Sequence, residues 1–174
     1  MVVLGIDIVK KLGLIENLSE KELNDPEGAG FDIRVGEVFE IKSYGFLGVK
    51  QRKTPNIEKI ATHNKDKEYF LKPGEYVLVK TMERINLPEN IVALTFPRST
   101  LQRCGMLLLT TQTSPGYSGE LVFGLKNLGN ENFKLELGSR IAHIMFLEVK
   151  GETPKYKGQW QGGRITTEGE EEQV

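Results

Sequence analysis

Phe96-Pro-Arg-Ser-Thr-Leu-Gln-Arg-Cys-Gly105 changes character partway through. It continues the apolar run Ile91-Val-Ala-Leu-Thr-Phe96, closes that strand at Pro97, and opens a short helix that Gly105 ends. A helix start leaves backbone N–H groups unpaired and carries the positive end of the helix dipole. Here it lies between Arg98 and Arg103 and beside the hydroxyls of Ser99 and Thr100, a combination suited to a phosphate. Further along, Ser114-Pro-Gly-Tyr-Ser-Gly-Glu120 reads as a tight, glycine-punctuated hairpin with Tyr117 at its tip. Its backbone can offer donors and acceptors to a flat base, and the wrong pattern would leave buried polar groups unmatched. Together the two stretches read as a nucleotide pocket.

Each stretch alone also has an ordinary reading. Ser99 can simply cap the helix, the arginines can be surface charge, and Tyr117 can cover a core edge. The flanking sequence then decides the architecture. Phe31-Asp-Ile-Arg-Val and Glu37-Val-Phe-Glu-Ile alternate apolar and polar residues, as half-buried strands do. Further strands are expected at Tyr69–Leu71, Tyr76–Lys80, Ile91–Phe96, Met106–Thr111, Glu120–Lys126, Phe133–Leu137 and Arg140–Val149. The turns Lys72-Pro-Gly-Glu75 and Leu87-Pro-Glu-Asn90 punctuate them. Such spacing indicates an all-β sandwich or barrel. Short helices are expected over Asp7–Leu12 and Ser19–Asn24, the second with Ser19 as cap and Glu22 completing a capping box. The charged segment Lys50–Lys67 reads as a surface excursion. Residues 1–154 read as one β domain, and residues 155–174, ending in the acidic run Glu168–Glu172, as a mobile tail.

Composition narrows the class. The chain has 174 residues, enough for one domain to bury a sizeable core. A net charge of −1 argues against a general nucleic-acid binder, which needs a basic excess. No apolar run approaches the roughly 18 residues of a membrane span. The opening Met-Val-Val-Leu-Gly carries no charged leader, so the expectation is a cytoplasmic protein without membrane partners. Cys104 is the only cysteine, which forbids an internal disulfide, and it reads as a buried packing thiol. One cysteine and two separated histidines, His63 and His143, make a zinc site a poor reading.

The ordered set Gly30-Phe-Asp-Ile-Arg-Val-Gly36, Phe96–Gly105, Pro115-Gly-Tyr-Ser-Gly119 and Leu137-Gly-Ser-Arg-Ile-Ala142 resembles the dUTPase and dCTP deaminase superfamily. The likeness is greatest to the archaeal dUTPase branch of the deaminase lineage. Tyr156-Lys-Gly-Gln-Trp-Gln-Gly162 is similar to the deaminases' C-terminal Tyr-x-Gly-x-Tyr-Gln-Gly pattern. The resemblance implies a mainly β, distorted jelly roll with a few short helices, assembled as a homotrimer with active sites between subunits. It implies a deoxyribonucleoside triphosphate as substrate, with Mg²⁺ arriving on the triphosphate and no protein-bound metal. Arg98, Ser99 and Thr100 would hold the phosphates, with Arg103 near the base or phosphates. Gln112, Thr113, Gly116 and Gly119 would line the nucleoside, and Tyr117 would pack on the deoxyribose. Trp160 and Gln161 would close over the nucleotide.

Three departures from that pattern bear on activity. Ser114 stands where dUTPases carry the aspartate that activates water, and a plain hydroxyl is no general base near neutral pH. Asp32 and Glu120 are the candidate replacements, although each also suits a structural role. Gly124 stands where the deaminases carry their catalytic glutamate. His143 replaces a glutamine near the phosphates; it can donate to a phosphate oxygen or be a satisfied core residue. The leading expectation is hydrolysis of dUTP to dUMP and diphosphate. The alternatives are dCTP deamination with an unfamiliar base and deoxynucleotide binding without turnover.

Overall fold

In the computed structural model, which describes residues 2–173, the strand Phe31–Ile41 changes partners at Gly36. Its first residues, Phe31–Arg34, pair antiparallel with the strand Arg140–Glu148. Its remainder runs between Tyr76–Asn86 and Ile57–Thr62. A register shift between Val35 and Glu37 marks the corner, where a bulge bends and twists the strand. A Cβ on Gly36 would come 2.9 Å from Met82 Cγ, so a side chain at the corner would displace the Met82 side chain.

From this strand the sheet extends both ways. One direction runs through Tyr76–Asn86 and Ser118–Asn127 to the edge strand Met106–Leu109. The other runs through Arg140–Glu148 and Ile91–Pro97 to the short strand Gln112–Thr113. The result is the curled antiparallel sheet of the expected jelly-roll class. Inside lie Phe31, Ile33, Val79, Leu125, Ile144 and Phe146, all fully buried. Burying one such side chain contributes on the order of 2 kcal/mol. Tyr76–Asn86 alternates half-exposed and buried positions along its whole length. Its inward positions include Thr81 and the fully buried Glu83, whose Oε1 accepts a hydrogen bond from Arg34 Nε at 2.6 Å.

Several local expectations are revised. The first helix is Ile6–Lys11, and the second is Glu20–Asn24. Ser19 caps the second, its Oγ accepting the Glu22 N–H at 3.3 Å. Glu22 does not reach back to complete the box. Its side chain is buried, and its Oε2 accepts the Asp32 N–H at 3.0 Å. Within the segment Lys50–Lys67 stand two strands, Gln51–Lys53 and Ile57–Thr62. Cys104 is exposed at the end of the helix Ser99–Arg103, because the side chain packed inward from that short helix is Leu101.

The tail lies against the body. Glu171–Glu172 pairs with Gln51–Arg52 as a strand, and Arg164 Nη1 donates to Glu171 Oε2 at 3.1 Å. Thr54 Oγ1 accepts the Thr167 N–H at 2.7 Å, while Thr167 Oγ1 accepts the Thr54 N–H at 2.9 Å. These reciprocal bonds give the polar tail partners that its composition did not reveal.

Candidate functional site

A cleft of about 490 Å³ opens beside the hairpin. Thr111–Ser114 and Tyr117 form one wall, Leu78, Leu121 and Phe123 the floor, and Tyr156 and Trp160 of the tail the roof. Tyr117 is buried and meets the Tyr156 ring edge-on, with centroids 5.6 Å apart. Its hydroxyl donates to the Glu120 carbonyl at 2.6 Å, and burial pushes its pKa up to about 12. It therefore acts as a neutral donor and a flat wall.

The tail, rather than open space, meets the hairpin's glycines. Gln161 Nε2 donates to the Gly116 carbonyl at 3.0 Å, and its Oε1 accepts the Ser118 N–H at 3.0 Å. A Cβ on Gly119, whose φ is +154°, would lie 2.9 Å from Gly162 Cα. One on Gly116, at φ +82°, would lie 3.2 Å from the Tyr156 amide nitrogen. Gly116 and Gly119 thus admit the returning chain. Trp160 stands at the cleft rim with Arg52 over its ring at 5.9 Å.

Behind the hairpin, Tyr76 projects into the cleft from its strand. The register pairs Tyr76 with Lys126 and Leu78 with Gly124, so Tyr76 leans diagonally across Gly124. A Cβ at Gly124 would lie 2.8 Å from Tyr76 Cζ and closer still to its hydroxyl. The space of a side chain at position 124 is filled by Tyr76. Burial alone raises the Tyr76 pKa above the ordinary tyrosine value.

The phosphate-binding candidates form a separate cluster. Arg98 ends the strand Ile91–Pro97 and sits at the cap position of the helix Ser99–Arg103. No side chain caps that helix, and Ser99, Thr100 and Arg103 are exposed. Ser99 is therefore not the helix cap. Asp32 holds the cluster together: it pairs with Arg98, accepts from Arg140 Nη1 at 3.1 Å, and contacts His143 Nδ1 at 2.9 Å. Arg140 also lies 3.4 Å from the buried Glu22. Burial, helped by the Arg98 charge, lowers the His143 pKa against the pull of Glu22. A neutral imidazole then donates from Nδ1 to Asp32, while its Nε2 faces Gly30.

Residues 7–149 match the model of the dCTP deaminase-like family. The chain belongs to that family. A dCTP deaminase of Pyrococcus furiosus is 32% identical over 155 residues, covering 88% of each chain. A deoxyuridine 5'-triphosphate nucleotidohydrolase of Methanocaldococcus jannaschii is 32% identical over 149 residues, covering 84% of this chain and 92% of that one. Among solved structures, the dCTP deaminase of Agrobacterium tumefaciens superposes with a TM-score of 0.64 at 17% identity. The match covers 85% of this chain and 48% of that one, so the chain spans about half that enzyme's length. A mutant dUTPase from phage phi11 of S. aureus gives a TM-score of 0.52 at 18% identity, covering 83% of this chain and 94% of that one. These two likenesses establish the jelly-roll fold.

In this dCTP deaminase-like chain, the candidate site residues fall in three places. Gln112, Thr113, Ser114, Tyr117 and Trp160 line the cleft, and Gln161 latches its roof. Arg98, Asp32 and His143 belong to the helix-start cluster. Glu120 lines a different cavity, near Lys80 at 3.5 Å and Arg84 at 3.7 Å. Neither Asp32 nor Glu120 borders the cleft, whose lining includes no aspartate, glutamate or histidine. Ser114 Oγ accepts a hydrogen bond from Gln112 Nε2 at 3.1 Å. Sequence reasoning missed Tyr76, Tyr156, Thr54 and Arg164 as lining residues. Only the strand register and the tail's return path bring them there.

Proposed function

We propose that this protein hydrolyses dUTP to dUMP and diphosphate. The observation that carries this reading is Gly124 backed by Tyr76. Attack on a cytosine ring needs a base beside the ring, and Tyr76 fills the space where a carboxylate at position 124 would stand. Phosphoryl transfer depends chiefly on positioning and on neutralising charge, which cationic and hydroxyl groups supply. In this reading Arg98, Ser99 and Thr100 hold the phosphates, and Arg103 meets the triphosphate or the base. Gln112, Thr113, Ser114 and Tyr117 line the nucleoside, with Trp160 and Gln161 closing the roof. Asp32 positions Arg98, and His143 positions Asp32.

Mg²⁺ would ride on the phosphate oxygens. Among the described residues no three His, Cys, Asp or Glu side chains gather as a cage, and hydrated Mg²⁺ bound through substrate phosphates needs none. The ion would neutralise charge on the transferring group. Water attacks the α-phosphorus, the bond to the bridging oxygen breaks, and diphosphate leaves with that oxygen.

The two halves of the site are joined, in this proposal, between copies in a homotrimer. Gln112–Thr113 pairs with Ala93–Leu94, while Arg98 lies at the far end of the same strand, roughly 13 Å along it. The cleft lining includes none of Arg98, Ser99 or Thr100. Support for association comes from the edge strand Met106–Leu109, which exposes Leu107 and Leu109 at 42% and 48%. An unpaired edge carrying exposed leucines is a surface that a second copy can cover. Among the described residues no helix is long and apolar enough to cross a membrane. A cytoplasmic location is part of this proposal, supported by a lone cysteine that suits a reducing compartment.

The test is incubation of purified protein with dUTP and Mg²⁺, and separately with dCTP. Diphosphate released from dUTP, with the cytosine absorbance of dCTP unchanged, is the expected result. No diphosphate above background overturns the hydrolase reading. A second reading, nucleotide binding without turnover, is favoured by the absence of any carboxylate in the cleft lining. Calorimetric binding of dUTP by a protein that releases no diphosphate would establish it.

A further inference from the structure

Among the described residues no side chain or backbone group hydrogen-bonds the Tyr76 hydroxyl, which packs over Gly124. It stands in a cleft whose floor is apolar, and burial raises its pKa above the ordinary tyrosine value. The residue is half-buried, so its hydroxyl is within reach of a molecule in the cleft, and a donor held beside apolar walls is the kind of group that fixes a ligand's orientation. Gly124 is part of the same device. Any larger residue there would push the ring out of place, since even a Cβ would lie 2.8 Å from Tyr76 Cζ. Ser118–Asn127 keeps a glycine in its buried interior, at a cost in strand stability, and what the vacancy accommodates is the tyrosine.

We propose that Tyr76 is a specificity-determining residue whose hydroxyl donates a hydrogen bond to the 4-oxygen of the uracil ring, with Gly124 as its permissive neighbour. This rests on the reading that the cleft takes the nucleoside of dUTP. A tyrosine O–H is a single neutral donor, so its loss removes discrimination at one ligand atom without disturbing the phosphates. Its raised pKa keeps the proton in place across the neutral range.

The experiment measures binding, so that it does not depend on turnover. Calorimetry is run with α,β-imido-dUTP and with the corresponding 2-pyrimidinone analogue, which lacks the 4-oxygen, on wild type and Tyr76→Phe. Wild type is expected to bind the uracil compound roughly 3- to 10-fold more tightly than Tyr76→Phe does. The analogue is expected to bind both proteins alike, a coupling that a structural role for the ring would not produce. Equal affinity of both proteins for the uracil compound overturns the inference and leaves the dUTP reading standing. Failure of wild type to bind the uracil compound overturns both. Melting curves confirm folding, and Tyr76→Leu provides the same comparison should Tyr76→Phe fold poorly.

Discussion

Gly124 and His143 show how single positions decide chemistry here. In an ordinary strand, Gly→Ala gains up to about 1 kcal/mol through backbone entropy. At Gly124 the added methyl meets the Tyr76 ring, so Gly124→Ala is expected to cost about 1–3 kcal/mol in urea unfolding. In a Tyr76→Ala background the same change should cost close to nothing, because the colliding atoms are gone. His143 makes a prediction in pH. Its folded pKa is below the unfolded value near 6.5, so the unfolded chain binds more protons as the solution acidifies. The stability tied to the neutral ring is complete above about pH 6.5 and is lost as pH falls toward the lower folded value. His143→Gln should flatten that part of a stability-versus-pH curve, and an unchanged slope would mean that other groups carry it. In the sequence, Asp32 and Arg98 lie in two separate motifs and His143 just beyond a third. Their meeting at one carboxylate depends on the pairing of Arg140–Glu148 with both neighbouring strands, which no local pattern encodes.

At the scale of elements, legibility followed the apolar period. Phe31–Ile41 and Arg140–Glu148 were readable because hydrophobic residues mark their inward positions. The second half of Tyr76–Asn86 escaped notice, because its inward positions are filled by Thr81 and Glu83. The tail escaped for a related reason. Its partners are hydroxyls and backbone groups more than a hundred residues away in the chain. Nearer in the chain, Gln161 bridges a donor and an acceptor of the hairpin with one carboxamide. Gln161→Ala leaves the Ser118 N–H without that partner and frees the roof of the cleft. Trp160 is the only tryptophan in the chain, so its emission reports whether the roof is docked. The variant should show red-shifted emission and faster proteolysis of residues 150–160, with a raised KM for dUTP. Identical emission and digestion would show that Thr54, Thr166 and Thr167 hold the tail without it.

At the scale of the whole molecule, the question is whether the helix-start cluster and the cleft act on one ligand. Within a protomer the cleft meets the middle of the strand Ile91–Pro97 and the cluster lies beyond its end, and only the cleft has a roof. If copies associate so that one supplies Arg98 and its neighbour the hairpin, two defective variants can repair each other. Arg98→Ala removes the Asp32-paired guanidinium proposed to hold the phosphates, and Tyr117→Ala removes the wall of the cleft. Each alone should lose most activity. Co-expressed in equal amounts and assembled at random as cyclic trimers, about three-quarters of the assemblies are hybrids, each holding one site with both halves intact. That predicts about a quarter of the wild-type rate from a mixture of two nearly inactive proteins. A site built within one protomer gives no such recovery, since every site then carries one of the two lesions. Because Tyr117→Ala also removes a buried ring, its unfolding midpoint is measured alongside, and recovery is scored only where it remains folded at the assay temperature.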